Sequence, residues 1–208
     1  MKIIKITCLC IALFCVACNT NSKNNVNEKQ SAKTETVEEK KPLTNDEIIL
    51  HAKSILQLFQ EKKYEQLSDF VSPNGVRFSP YAYIDTVKDV VLSAKQISDA
   101  ALSKKVFVWG KQDGSGFPIK LKIKDYFSEY VITMDFMNST SIKFNGISTS
   151  GNSINNIKEA YSDCVWVEFY FEGTEEFSNF DWQALRLIFK YFNGDLLLVG
   201  VQHDQWTI

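Results

Sequence analysis

Apolar residues run almost unbroken over positions 6–17, give way to a polar stretch from Asn19, return at helical spacing from Ile48, and alternate at strand spacing over the last third. The first helical signal is clear. Thr44-Asn45-Asp46-Glu47 fits a capping box, with Leu43 and Ile48 placed as its hydrophobic staple. Ile48, Ala52, Ile55, Leu56 and Phe59 then make one apolar stripe, which predicts a helix over 45–61. A shorter helix follows, with Tyr64, Leu67, Phe70 and Val71 on one side, and Ser72-Pro73-Asn74-Gly75 stops it. Residues 76–79 read as a strand. Ser93-Ala94-Lys95-Gln96 is a second capping box, opening a helix to about Leu102. Residues 106–109 read as a strand ending in the turn Asp113-Gly114-Ser115-Gly116, and residues 125–131 as one more helix.

The last third reads as sheet. Over 164–172, Val165, Val167, Phe169 and Phe171 fall on one face and Trp166, Glu168 and Tyr170 on the other. Asn193-Gly194 joins two apolar runs as a two-residue hairpin turn, which specifies a register. Phe192 then faces Asp195, Lys190 faces Leu197, Ile188 faces Val199, Arg186 faces Val201 and Ala184 faces His203. One face carries Leu185, Leu187, Phe189, Tyr191, Leu196 and Leu198, which is core. The other carries Arg186, Ile188, Lys190, Val199, Val201 and His203. With the 164–172 strand alongside, Trp166, Glu168, Arg186 and His203 form an aromatic and charged constellation, the candidate ligand-binding site. It is either the solvated face of an antiparallel sheet, holding a weak surface ion pair, or the wall of a cavity closed by helices.

The segment 1–17 is built as an export signal. A cationic start, Met1-Lys2-Ile3-Ile4-Lys5, leads into the apolar run, and small residues precede Cys18. A spanning helix needs roughly 20 apolar residues, and the run is shorter than that. Cys15-Val16-Ala17-Cys18 resembles a lipobox, departing from it in having Cys15 where a leucine is usual. The resemblance implies that Cys18 is acylated and that the membrane is a partner through that lipid. Residues 18–43 are then a tether, rich in Asn, Lys, Glu, Ser and Thr, and expected to be disordered. As a flexible coil, residues 19–43 would span roughly 25–30 Å. The first acid after Cys18 is Glu28. An early acidic patch resembles a surface-export signal in some Gram-negative bacteria, so its absence favours the outer membrane's periplasmic face.

Cysteine and charge narrow the chemistry. Of five cysteines, Cys8, Cys10 and Cys15 leave with the signal and Cys18 takes the lipid, so Cys164 alone remains and no internal disulfide is expected. Of 23 basic residues, Lys2 and Lys5 also leave; the remaining 21 against 25 acids predict a net charge near −4. Neither nucleic acid nor an anionic lipid surface is an expected partner. His51 and His203 lie far apart in sequence, which argues against a transition-metal site, and no cofactor is implied. Asp113-Gly114-Ser115-Gly116 lacks the lysine and spacing of a phosphate loop and the acids of a calcium loop. His203 and Asp204, adjacent on a strand, point to opposite faces and cannot pair directly. Trp109, Trp182 and Trp206 read as core anchors.

Residues 44–208 contain 26 aromatics, ample for a single core, and are expected to be one α+β domain. A helix pair followed by long antiparallel strands resembles the NTF2-like fold, in which N-terminal helices pack on a curved antiparallel sheet to form a cone or roll. The stripe from Ile48 to Phe59, Lys63-Tyr64-Glu65-Gln66-Leu67 and Val71 carry that resemblance. A second resemblance, over about 73–208, is to a family of uncharacterised bacterial lipoproteins. It rests on Gly75-Val76-Arg77-Phe78-Ser79-Pro80-Tyr81, on Trp109-Gly110 before Asp113-Gly114-Ser115-Gly116 and Pro118-Ile119, on Asp181-Trp182 before Leu185-Arg186-Leu187, and on the ending His203-Asp204-Gln205-Trp206-Thr207-Ile208. Lys122 departs from it, standing where a Thr cap is expected. The family implies no activity. The resulting expectation is a lipid-anchored envelope lipoprotein with a non-enzymatic ligand- or protein-binding module. The alternative is an NTF2-like hydrolase or isomerase with His203 or Glu168 as general base in the cone.

Overall fold

The computed structural model describes residues 41–148 and 154–207. The signal, Cys18 and the tether as far as residue 40 lie outside them. All described elements belong to one compact unit, Glu39–Ile208. Helix α1 (Asn45–Gln60) opens with the capping box complete, Thr44 accepting from the Glu47 amide and Glu47 accepting from the Thr44 amide. Its buried residues are Ile48, Ala52, Ile55, Leu56 and Phe59, the stripe read from the sequence. α2 (Tyr64–Leu67) tightens into a 3₁₀ turn over Ser68–Phe70, and β1 (Val76–Ser79) follows. Gly75 adopts φ +85°, and a Cβ there would stand 2.6 Å from the Leu92 carbonyl oxygen, so the turn before β1 requires glycine.

β2 (Val90–Leu92) precedes α3 (Ala94–Ser98), which has its own capping box but ends earlier than the expected Leu102. β3 (Val106–Lys111) and β4 (Pro118–Lys122) form a separate two-stranded hairpin. Then come α4 (Ile123–Tyr126), a π-helical turn (Phe127–Val131), β5 (Ser141–Phe144) and α5 (Ile157–Ala160). Lys122 caps α4 without a side-chain hydrogen bond. β6 (Val165–Phe171), β7 (Gln183–Phe192) and β8 (Asp195–Gln205) complete the chain. β2, β4, β5 and α5, of three to five residues each, were not expected from the sequence.

The main sheet has the order β2-β1-β8-β7-β6-β5. It is mixed: β1 runs parallel to β8, which corrects the expectation of an antiparallel sheet. More than a hundred residues separate the two strands, so no hairpin sets their relative direction. A second correction concerns register. Asn193 and Gly194 both have positive φ, and four pairs follow the turn as expected, from Phe192 opposite Asp195 to Phe189 opposite Leu198. Between Ile188 and Phe189 the pairing slips: Ile188 faces Gly200, leaving Val199 as the extra residue of a bulge. Beyond it, Arg186 faces Gln202, Leu185 faces His203 and Ala184 faces Asp204.

Both sides of the sheet are covered. On one side lies the main core, which joins the α1 stripe with Val167, Phe169, Leu185, Leu187, Phe189, Leu198 and Val201 in one cluster. Aromatic rings fill it: Trp109 stacks on Tyr126 at 3.8 Å between centroids, and Phe127 meets Phe59 and Phe78 each at 5.2 Å. On the other side a smaller cluster of Ile84, Ile157, Trp166 and Ile188 is buried beneath the segments 80–89, 145–148 and 154–161. Asn156 ties these covering segments together, accepting from the Ile84 amide at 2.8 Å and donating to its carbonyl at 3.0 Å.

Candidate functional site

The constellation expected from the sequence is divided by the bulge. Trp166, Glu168 and Arg186 share the outer side of the sheet, where Trp166 faces Ile188 and Glu168 faces Arg186. His203 is displaced to the opposite side, because the extra residue at Val199 inverts every position after it. Gln202 and Asp204 take its place. The result is a polar row in register across five strands: Ser79, Gln202, Arg186, Glu168 and Lys143.

The row is buried at its centre, which excludes the solvated face. Glu168, Arg186 and Gln202 are each 0% exposed and Asp204 is 2% exposed. Arg186 donates from Nε to Glu168 Oε2 at 2.8 Å, and its Nη2 lies 2.7 Å from the same oxygen. Its Nη1 donates to Gln202 Oε1 at 3.0 Å and to Asp204 Oδ2 at 2.9 Å. Gln202 Nε2 donates to the Ala82 carbonyl, and the Ser148 amide donates to Glu168 Oε1 at 2.6 Å. The indole of Trp166 donates to the Gly146 carbonyl at 3.0 Å. The network fastens both covering segments to the sheet. Its central groups are buried and spend their hydrogen bonds on holding these parts together.

His203 lies at the edge of the main core, 1% exposed. Its Nδ1 is 3.2 Å from the Pro80 carbonyl and its ring meets Tyr130 edge-on at 6.0 Å. Burial holds its imidazole at about 4, the Pro80 contact opposing this and the Arg186 charge adding to it. The neutral ring is therefore the folded form near pH 7. The ordinary value is 6.5, so between about 6.5 and 4 the unfolded chain binds the proton and the folded chain does not. Stability is full above 6.5 and falls as pH drops toward 4, at up to about 1.4 kcal/mol per pH unit from this group. Urea unfolding across that range should show the decline, and His203→Gln should flatten it; an unchanged slope in the variant would remove His203 as its source.

Beside the network, on the same side of the sheet, the surface opens into a groove of about 220 Å³. Arg77, Tyr161, Cys164, Lys190, Asn74 and Val91 line it. Arg77 alternates with Phe78, so it points outward from β1 opposite Gly200. A Cβ on Gly200 would lie 2.5 Å from the Tyr161 hydroxyl, so glycine at the bulge makes room for that phenol against the sheet. Burial pushes the Tyr161 phenol up to about 12 against the opposing influence of Arg77. Burial likewise pushes the Cys164 thiol up to about 12, with Asp163 acting in the same direction, so it is not a thiolate at neutral pH. Lys190 is paired with Asp163. Arg77 lies 3.4 and 3.5 Å from the carbonyls of Asp89 and Asp85, also engages the Tyr161 hydroxyl and the charge of the Asp89 carboxylate, and forms no direct ion pair among the described residues.

No group of three or more His, Cys, Asp or Glu that could hold a metal occurs among the described residues. Gln202, Asp204, Arg77 and Tyr161 were missed in the sequence reading. The available signal was Gly200, since an isolated glycine within a strand marks a bulge or a close approach, and here it marks both.

No protein-family model matches the chain, and no curated protein matches it. Among solved structures it is similar to a protein described as a calcium/calmodulin dependent protein kinase II association domain, from Xanthomonas campestris. The identity is 10%, the match covers 80% of this chain and 94% of that one, and the TM-score is 0.33, too low to carry an argument about fold or function.

Proposed function

We propose that this protein is a lipid-anchored cell-envelope lipoprotein whose α+β domain, of the NTF2-like type, is a non-enzymatic binding module with its ligand surface at the Arg77 groove. The anchor is Cys18, and the site of action is the periplasmic face of the outer membrane. The observation that carries the binding reading is the filled interior. Trp109, Tyr126, Phe59, Phe78, Phe127, Phe136, Phe169 and Phe189 are fully buried there. Function then belongs to the outer side, where the Arg77 guanidinium, in no direct ion pair among the described residues, borders a groove suited to a small anionic group or an acidic side chain of a partner.

Two experiments test the two parts. A palmitate analogue should label the protein in cells, and the label should vanish in Cys18→Ser; labelling that persists in that variant removes the anchor. For the groove, a photo-crosslinking side chain at Val91, 42% exposed on the rim, should capture an envelope molecule in intact cells. Capture should fail in Arg77→Ala. Equal capture with and without Arg77 would refute the groove as the binding surface.

A further inference from the structure

The β3–β4 hairpin turns one face inward and leaves the other uncovered. Phe107 faces Leu121 across the hairpin, and both pack against the main core beside buried Trp109 and Ile119. The alternate positions face out, with Val106 opposite Lys122 and Val108 opposite Lys120. Val106 is 53% exposed, Val108 56%, and Phe117, where the turn rejoins β4, 68%. Between residues 104 and 124 the chain carries six lysines, at 104, 105, 111, 120, 122 and 124, and one acid, Asp113. None of the six lysines makes an ion pair among the described residues; Lys105 lies over the Phe107 ring at 4.6 Å.

This local excess runs against the sign of the whole chain, whose formal net charge is −2. Counting charges over the full length hid it. Lysines alone would serve to blunt an open strand edge against aggregation. An exposed Phe at the turn and two exposed valines work against that purpose. Lysine ammonium groups beside bare apolar side chains suit a boundary where anionic phosphate lies above hydrocarbon.

We propose that the outer face of this hairpin and its exposed turn dock on the anionic headgroups of a lipid bilayer, Lys111, Lys120 and Lys122 meeting phosphates while Val106, Val108 and, from the turn, Phe117 enter the headgroup boundary. The choice of a bilayer over nucleic acid or an acidic protein rests on the lipid-anchor reading above. A tether from Cys18 would hold the domain close to the surface at high effective concentration, so a weak contact suffices to orient it.

The test uses residues 39–208, which contain every described element and both core clusters and so carry their own fold. Flotation is measured with vesicles of phosphatidylethanolamine and phosphatidylglycerol at 7:3, and with vesicles in which phosphatidylcholine replaces the phosphatidylglycerol. Binding should be at least about tenfold stronger with the anionic lipid and should weaken with salt. The triple variant Lys111→Glu/Lys120→Glu/Lys122→Glu should lose at least about tenfold. The matched reversal Lys53→Glu/Lys62→Glu/Lys158→Glu should not. Phe117→Ser, on an exposed turn, should lose severalfold without touching the core, which keeps the proposal testable if the triple variant misfolds. Equal loss in both triple variants, no preference for the anionic vesicles, or displacement of the protein from vesicles by double-stranded DNA would each overturn it. Because this fragment lacks Cys18, failure here leaves the palmitate result standing, and label that persists in Cys18→Ser alongside intact flotation overturns the anchor alone.

Discussion

Replacing Arg186 with alanine is expected to lower folding stability by about 3–5 kcal/mol, as breaking a buried ion pair from one side does. The cost comes from what stays behind. Glu168 and Asp204 remain in a region where both are at most 2% exposed, and the guanidinium hydrogen bonds to Glu168 Oε2, Gln202 Oε1 and Asp204 Oδ2 are gone. Urea unfolding measures the loss directly. Arg186→Lys should recover only part of it, because one ammonium cannot reproduce the planar fork that meets three acceptors on two strands. The double variant Glu168→Leu/Arg186→Leu should be less damaging than the sum of its single changes. A loss below about 1 kcal/mol in Arg186→Ala, the figure typical of an exposed pair, would show that this face is solvated after all.

Trp109→Ala should cost about 3–5 kcal/mol, the range for removing a large aromatic from a core. Trp109 is 0% exposed, stacks on Tyr126 and meets Phe78 edge-on at 6.0 Å, and its indole donates to the Leu121 carbonyl at 3.0 Å. It therefore joins the separate β3–β4 hairpin to the core that the main sheet builds. Beyond the global loss, hydrogen exchange should show the hairpin opening ahead of the sheet in this variant, whereas Arg186→Ala should open the segments 80–89 and 145–148 first. Uniform opening in both variants would contradict the view that these two residues fasten different parts of the molecule.

Much of the architecture was legible in the chain because local rules apply there. Each capping box satisfies backbone amides within four residues, so Thr44 and Ser93 mark helix starts whatever surrounds them. The stripe from Ile48 to Phe59 has one apolar side to bury, and Asn193-Gly194 supplies the positive φ values its turn needs. The same reasoning brought Trp166, Glu168 and Arg186 to one face, and it separated His203 from Asp204 correctly. It failed for His203 relative to Arg186, because a strict alternation was carried past Gly200. One inserted residue exchanges the two faces of everything beyond it. Ala184 and Ile188, flanking Arg186 on its own side, were also a sign that this side is covered, since a solvated strand face is seldom apolar at both neighbouring positions.

The chain's local pattern sufficed to place the starts of α1 and α3, the β7–β8 turn and the stripe that faces the main core. Those properties depend on residues within a few positions of one another. Only the tertiary structure decided that β1 lies parallel to β8, that a bulge at Val199 sends Gln202 and Asp204 to Arg186 in place of His203, and that two loops bury the ion pair. These outcomes depend on contacts between segments 120 or more residues apart, such as Gln202 with Ala82, whose free energy comes from burial and from satisfying polar groups across strands. No local pattern encodes that pairing.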